Sequence, residues 1–223
     1  MTITTTLRVS ALALALCTAS GCKERLEVTF DAEVSADLPQ FYPDGEPDDE
    51  VFLLSDSEVA TAIVAVSSDK KLMFAQTHND ANPIGADAWG YFYAEPLAYT
   101  EDVYVQWEML IGNGAKMTMS LAAGHFASVV DVRYSNGEVF INNREFGHYP
   151  EGRAFITQMS VSRTGTASIR ITGGGASGDL DDVPLLKSID SDYLQLISAF
   201  DGRQVGSHAQ LDDLYIYEQE PDD

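Results

Sequence analysis

Cysteine is almost absent from this chain, with two in 223 residues. Cys17 lies inside an apolar N-terminal run and Cys22 just after it, so once that run is removed a single thiol remains. No disulfide framework and no Cys-x-x-Cys redox or zinc site can be built from one cysteine. Positive charge is scarce as well: 13 Lys and Arg stand against 35 Asp and Glu. Residues 1–21 remove only Arg8, leaving 12 basic against 35 acidic groups, a net of −23. Such a surface repels nucleic acid and anionic polymers. Signatures of common enzymes are missing: there is no Gly-x-Ser-x-Gly elbow, no His-Glu-x-x-His and no phosphate-binding loop. His78, His125, His148 and His208 are scattered without metal-ligand spacing. No stretch after residue 22 has the 3.6-residue apolar period of a long helix.

What is present begins with a secretion signal. Arg8 supplies a weak n-region, and Val9 to Cys17 is an apolar segment too short to span a bilayer. Ala19-Ser20-Gly21-Cys22 then places small residues before a cysteine, which resembles the lipobox of bacterial lipoproteins. Ala19 stands where that family more often has Leu. The resemblance implies cleavage before Cys22 and acylation of its thiol and new amino group, and acyl chains at about 0.8 kcal/mol per buried CH₂ make a lasting anchor. In a Gram-negative cell Lys23 at the next position implies, by the same resemblance, the outer membrane. The ordinary alternative is a signal peptidase site after Ala19 or Gly21. The expected organisation is a signal peptide over 1–21, a lipidated N-terminus and acidic tether over 22–47, one domain over 48–218 and an acidic tail over 219–223. Ten acidic side chains lie between Asp31 and Glu58, with Pro39, Pro43, Gly45 and Pro47 among them. Leu26 to Phe30 has strand character within that tether.

Val51 to Leu54 reads as a strand, and from Thr61 onward the period-two signal is regular. Val103, Val105, Trp107, Met109 and Ile111 are apolar while Gln106 and Glu108 point the other way. Ala115, Met117, Met119 and Leu121 repeat the pattern. Val129 to Tyr134 and Glu138 to Asn142 flank Asn136-Gly137, a strong hairpin signal. Further strands are expected at 63–67, 72–78, 89–95, 155–163, 166–172 and 194–200. Gly173 to Gly178 is read as a break and 180–192 as an acidic loop. The last strand is Leu211-Asp-Asp-Leu-Tyr-Ile-Tyr217, with Leu214 and Ile216 inward and Tyr215 and Tyr217 outward. Ten to twelve strands, no credible helix and no internal repeat predict an all-β fold of two antiparallel sheets.

Tyr104-Val-Gln-Trp-Glu-Met109, the Asn-Gly hairpin, Tyr149-Pro-Glu-Gly-Arg-Ala-Phe155 and the closing Leu-Asp-Asp-Leu-Tyr-Ile are similar to concanavalin A-like lectin/glucanase domains, and to uncharacterised bacterial lipoproteins built on that jelly roll. The resemblance runs from about residue 48 to 218. It implies a β-sandwich from a class that includes sugar-binding modules, glycoside hydrolases and polysaccharide lyases.

Candidate chemistry is thin. Glu46-Pro-Asp-Asp-Glu50 has the spacing of paired catalytic carboxylates, but Pro47 and Asp49 sit where an inner strand needs a free N–H and an apolar spacer. It reads as a solvated loop. His125, Arg133 and Tyr134 are near one another in sequence, yet overall acidity disfavours the acidic polymer a lyase would cut. Trp89, Tyr91 and Tyr93 alternate along a strand and project from one face about 7 Å apart, a spacing suited to stacked sugar rings. The alternative is that this face is the core. Asp212 and Asp213, with Asp179, Asp181 and Asp182, are the carboxylate clusters that could hold a structural Ca²⁺; otherwise they cap turns. No other cofactor is indicated. The expected function is a non-catalytic, surface-anchored lipoprotein that recognises glycan. The alternatives are a glycosidase or lyase of the same fold, and a structural component of the envelope.

Overall fold

A computed structural model describes residues 22–28, 51–55, 62–66, 69, 71–76, 88–93, 102–124, 127–163, 165–191, 193–202 and 204–219. Every regular element among them is a strand. In chain order these are β1 (Cys22–Val28), β2 (Val51–Ser55), β3 (Ala62–Val66), β4 (Leu72–Gln76), β5 (Ala88–Tyr93), β6 (Val103–Gly112), β7 (Lys116–Ala123) and β8 (Ala127–Ser135). They continue as β9 (Glu138–Ile141), β10 (Arg144–His148), β11 (Phe155–Val161), β12 (Thr166–Thr172), β13 (Ser177–Pro184), β14 (Leu194–Asp201) and β15 (His208–Gln219).

Hydrogen bonding links them in one antiparallel path, β2-β5-β14-β7-β8-β9-β10-β13-β12-β11-β6-β15-β4-β3, with β1 beside β15. The path doubles over on itself into a jelly-roll sandwich: one layer runs from β2 to β9, the other from β13 to β3, and β10 is the seam. Alternation decides which residues meet between the layers. On β6 Val103, Val105, Trp107, Met109 and Ile111 are buried, and on β7 Met117, Met119 and Leu121 face them. Phe74 of β4 stacks on Phe200 of β14 at 5.8 Å between centroids, one ring from each layer. Tyr134 of β8 packs on Phe155 of β11 at 5.5 Å. Its hydroxyl accepts from Trp107 Nε1 at 3.1 Å and shares a hydrogen bond with Thr157 Oγ1 at 2.6 Å.

Three turns carry asparagine at positive φ, Asn113-Gly114, Asn136-Gly137 and Asn142-Asn143, with both positions positive in each. The first joins β6 to β7, which are not sheet neighbours, and the other two close hairpins, where this twist matches the flanking strands. The third was not legible beforehand, and with it goes β10. A second correction concerns the Gly-rich break and acidic loop read over 173–192. Residues 177–184 form β13, because Gly178, Leu180 and Val183 pair with Ile171, Ile169 and Ala167 of β12. Acids at Asp179, Asp181 and Asp182 belong to its exposed side chains. The strand character read over Leu26 to Phe30 corresponds to β1, which begins earlier, at Cys22. β1 pairs with β15 from Cys22↔Gln219 to Val28↔Leu214, so the first residues assigned to the tether are a strand of the sheet. The remainder of 29–47, and Glu46 to Glu50, lie outside the described residues.

Candidate functional site

The residues singled out from sequence fall on two outer faces. In β5, Ala88 and Phe92 are fully buried while Trp89 and Tyr91 are half-buried on the opposite side. Their register partners on β14 are Ala199 and Ile197, and that of Tyr93 is Gln195; the Tyr93 side chain lies outside the described residues. Trp89 and Tyr91 are therefore directed away from the sandwich interior. The alternative that these rings fill the core does not hold for Trp89 and Tyr91. Of the histidines, His148 contacts Ser177 Oγ at 3.2 Å and His208 contacts the Gly206 carbonyl at 3.0 Å, while His78 and His125 lie outside the described residues.

The other layer carries a groove of about 260 Å³ on its outer face. Two cross-strand rows build it. Tyr217, Tyr104, Ser160 and Ser168 are successive register partners across β15, β6, β11 and β12. The next row runs from Tyr215, beside the groove, through Gln106, Gln158, Arg170 and Asp179, which line it, across β15, β6, β11, β12 and β13. Strands lie about 4.8 Å apart and same-face residues about 7 Å apart along a strand, so each row supplies polar groups at the scale of a sugar ring. At one end the Tyr215 and Tyr217 rings stack at 5.8 Å and 15°. In the middle Gln158 Nε2 donates to Gln106 Oε1 at 2.9 Å. At the far end Arg170 donates to Asp179 Oδ2 through Nη2 at 2.9 Å and Nε at 3.3 Å. Apolar walls and a few convergent polar groups are the usual make-up of a small-molecule site.

Each of these side chains is on the outside for the same reason: it alternates with a core residue. Leu214 and Ile216 are fully buried, so Tyr215 and Tyr217 lie on the opposite face of β15, with Tyr217 only 8% exposed; Ile169 and Ile171 are buried, so Arg170 faces out. A bulge keeps β15 in phase. Its register shifts between Asp212 and Tyr215, and Asp213, at φ 49°, is the extra residue that lets both Leu211 and Leu214 point inward.

The third row down holds Asp212 and Glu108, direct cross-strand partners. Lys71 lies against both, bonding Glu108 and standing 3.4 Å from Asp212. Burial, then the neighbouring Asp213 charge, raise the Asp212 carboxyl to about 6, with Lys71 opposing them. Burial works against the Lys71 ammonium, but its two carboxylates outweigh that and hold it above its usual range. Asp212 thus faces an ammonium, and Asp213 receives the Tyr215 hydroxyl at 3.5 Å. Asp179 is committed to Arg170. Among the described residues no three His, Cys, Asp or Glu side chains converge as metal ligands.

No protein-family model matches the chain. No curated protein matches it either. Solved structures do. A carbohydrate-binding module (CBM2) from the evolved Dit of Lactobacillus casei BL23 phage J-1 superposes at a TM-score of 0.57 with 11% identity, covering 91% of this chain and 98% of that one. The lectin UEA-II in complex with galactose gives 0.51 and 10%, over 89% of this chain and all of its own. An alginate lyase of polysaccharide lyase family 7 gives 0.50 and 11%, over 90% and 96%. At such identities the likeness speaks for the fold, and it agrees with the strand path described above: the chain carries an all-β jelly-roll sandwich.

Proposed function

We propose that this protein is a surface-anchored lipoprotein whose jelly-roll domain binds glycan without cleaving it, and that the groove between Tyr217 and Asp179 is where the sugar sits. The observation that carries this reading is the groove's composition: tyrosine rings at one end, an amide pair in the middle and a closed ion pair at the other, with no activated nucleophile among them. Tyrosine faces stack on the C–H faces of sugars, and amides satisfy hydroxyls that both donate and accept. The fold's occurrence among lectins and a carbohydrate-binding module is consistent with it. Trp89 and Tyr91, on the other layer's outer face, are a second surface for the same chemistry.

A glycan array probed with the mature chain tests the reading. Binding to a defined set of glycans is expected, falling roughly 3–10-fold in Tyr217→Ala from the lost aromatic contact. Silence across the array would overturn it. Anchoring rests on the lipobox-like Ala19 to Cys22. Cys22→Ser is expected to move the protein from the membrane fraction to the soluble one, and retention in the membrane would refute the anchor. A glycoside hydrolase is the second reading, favoured by Glu108 and Asp212 as facing carboxylates one row from the groove. Lys71, seated against both, argues for a structural pair. Release of reducing ends from any glycan the protein binds, lost in Glu108→Gln, would establish it.

A further inference from the structure

Resting on the glycan reading of the groove, we propose that Asp179 is a specificity-determining residue that closes the site to carboxylated sugars and tunes it to neutral ones. Arg170 is the one cationic side chain lining the groove. A guanidinium is the group best shaped to grip a carboxylate, through two parallel N–H bonds. Here that fork is already occupied: Nη2 and Nε both donate to Asp179 Oδ2. The pairing is set by the sheet, since Arg170 and Asp179 are register partners on β12 and β13. Both side chains are more than half exposed, at 58% and 57%, so the pair contributes little to folding and is open to ligand.

The consequence is a groove whose lining carries no net charge. An incoming uronic acid would find the Nε–Nη2 edge of Arg170 taken by Asp179 and would bring a second carboxylate against one guanidinium. A neutral sugar has no such cost. Both bonds land on a single oxygen, so among the described residues Oδ1 of Asp179 and Nη1 of Arg170 stay uncommitted. They form an adjacent acceptor and donor, the pair that vicinal hydroxyls need. β13 is one of two strands that escaped the sequence reading, and Asp179 is its contribution to the site.

Isothermal titration of the mature chain and of Asp179→Asn, with a neutral polysaccharide and with a polyuronate of similar length, tests this. Wild type is expected to bind the neutral polymer and to be weak or silent on the polyuronate. Asp179→Asn is expected to gain polyuronate affinity by about tenfold or more, the worth of one freed charge-assisted contact, and that gain should fall as salt rises. Arg170→Gln in the same background should abolish the gain. If wild type binds the neutral polymer but Asp179→Asn gains nothing, the role of Asp179 is overturned and the glycan reading stands. If wild type prefers the polyuronate, the proposal is likewise overturned. Failure of both proteins to bind either polymer overturns both readings.

Discussion

Replacing Tyr134 by phenylalanine removes one oxygen from the middle of the sandwich and leaves its packing otherwise intact. Tyr134, Trp107 and Thr157 are all fully buried. Trp107 and Thr157 are neighbours on β6 and β11 of one layer, and Tyr134 reaches them from β8 of the other, so its hydroxyl is the polar link between the two sheets. Without it the fully buried Trp107 N–H, 3.1 Å from that oxygen, loses its hydrogen-bond acceptor. Leaving a buried donor unsatisfied costs about 1–3 kcal/mol. For a domain of this length each kcal/mol moves Tm by roughly 2–4 °C, so a fall of roughly 3–10 °C is expected. The urea midpoint should drop with an unchanged slope, because the area exposed on unfolding is the same. Thr157→Val removes the other hydroxyl. If the three groups act as a unit, the double variant should be less destabilised than the sum of the singles by about 0.5 kcal/mol or more. A Tyr134→Phe protein within about 0.5 kcal/mol of wild type would refute the idea that this network stabilises the sandwich.

Asp212 makes a pH-dependent prediction. Its folded pKa, about 6, lies above the ordinary 3.8, so the unfolded chain releases this proton first as pH rises. Stability from this group is full below about 4 and is lost as pH climbs through about 6. Asp212→Asn should therefore gain on wild type across that window in thermal melts, and a difference that is flat with pH would contradict the assignment. At the seam, a Cβ on Gly147 would stand 2.7 Å from the Ser177 carbonyl oxygen and 3.0 Å from Gly178 Cα. Only two residue pairs join β10 to β13, Gly147↔Gly178 and His148↔Ser177. Gly147→Val is expected to cost about 1–3 kcal/mol by overpacking, read from the denaturation midpoint, and an unchanged midpoint would show that the seam gives way freely.

How much of this was legible beforehand depends on which interaction does the organising. Alternation is local, and it is strong on β6, β7, β8, β11 and β12, whose inward residues are buried as their sequence implies. The same alternation set Gln106, Tyr215 and Tyr217 outward. Where pattern is weak, tertiary pairing decides. β13 is acidic and glycine-rich, with no strand propensity of its own, and is held by β12 on one side and β10 on the other. β10 likewise hangs on the Asn142-Asn143 turn and on β9.

The orientation of Trp89 and Tyr91 shows the limit plainly. A stripe of alternate aromatics has two faces to choose from, and neither period nor composition says which one the sheet buries; Phe92 and Ala88 took the inside once β14 placed Leu196 and Phe200 there. The sequence by itself determined the fold class, most strands and the inward set on each, because those follow from period two and turn chemistry within a few residues. Only the tertiary structure decided the groove. Its rows join residues from positions 104 to 217 through cross-strand register, and register is fixed by five strands meeting at once.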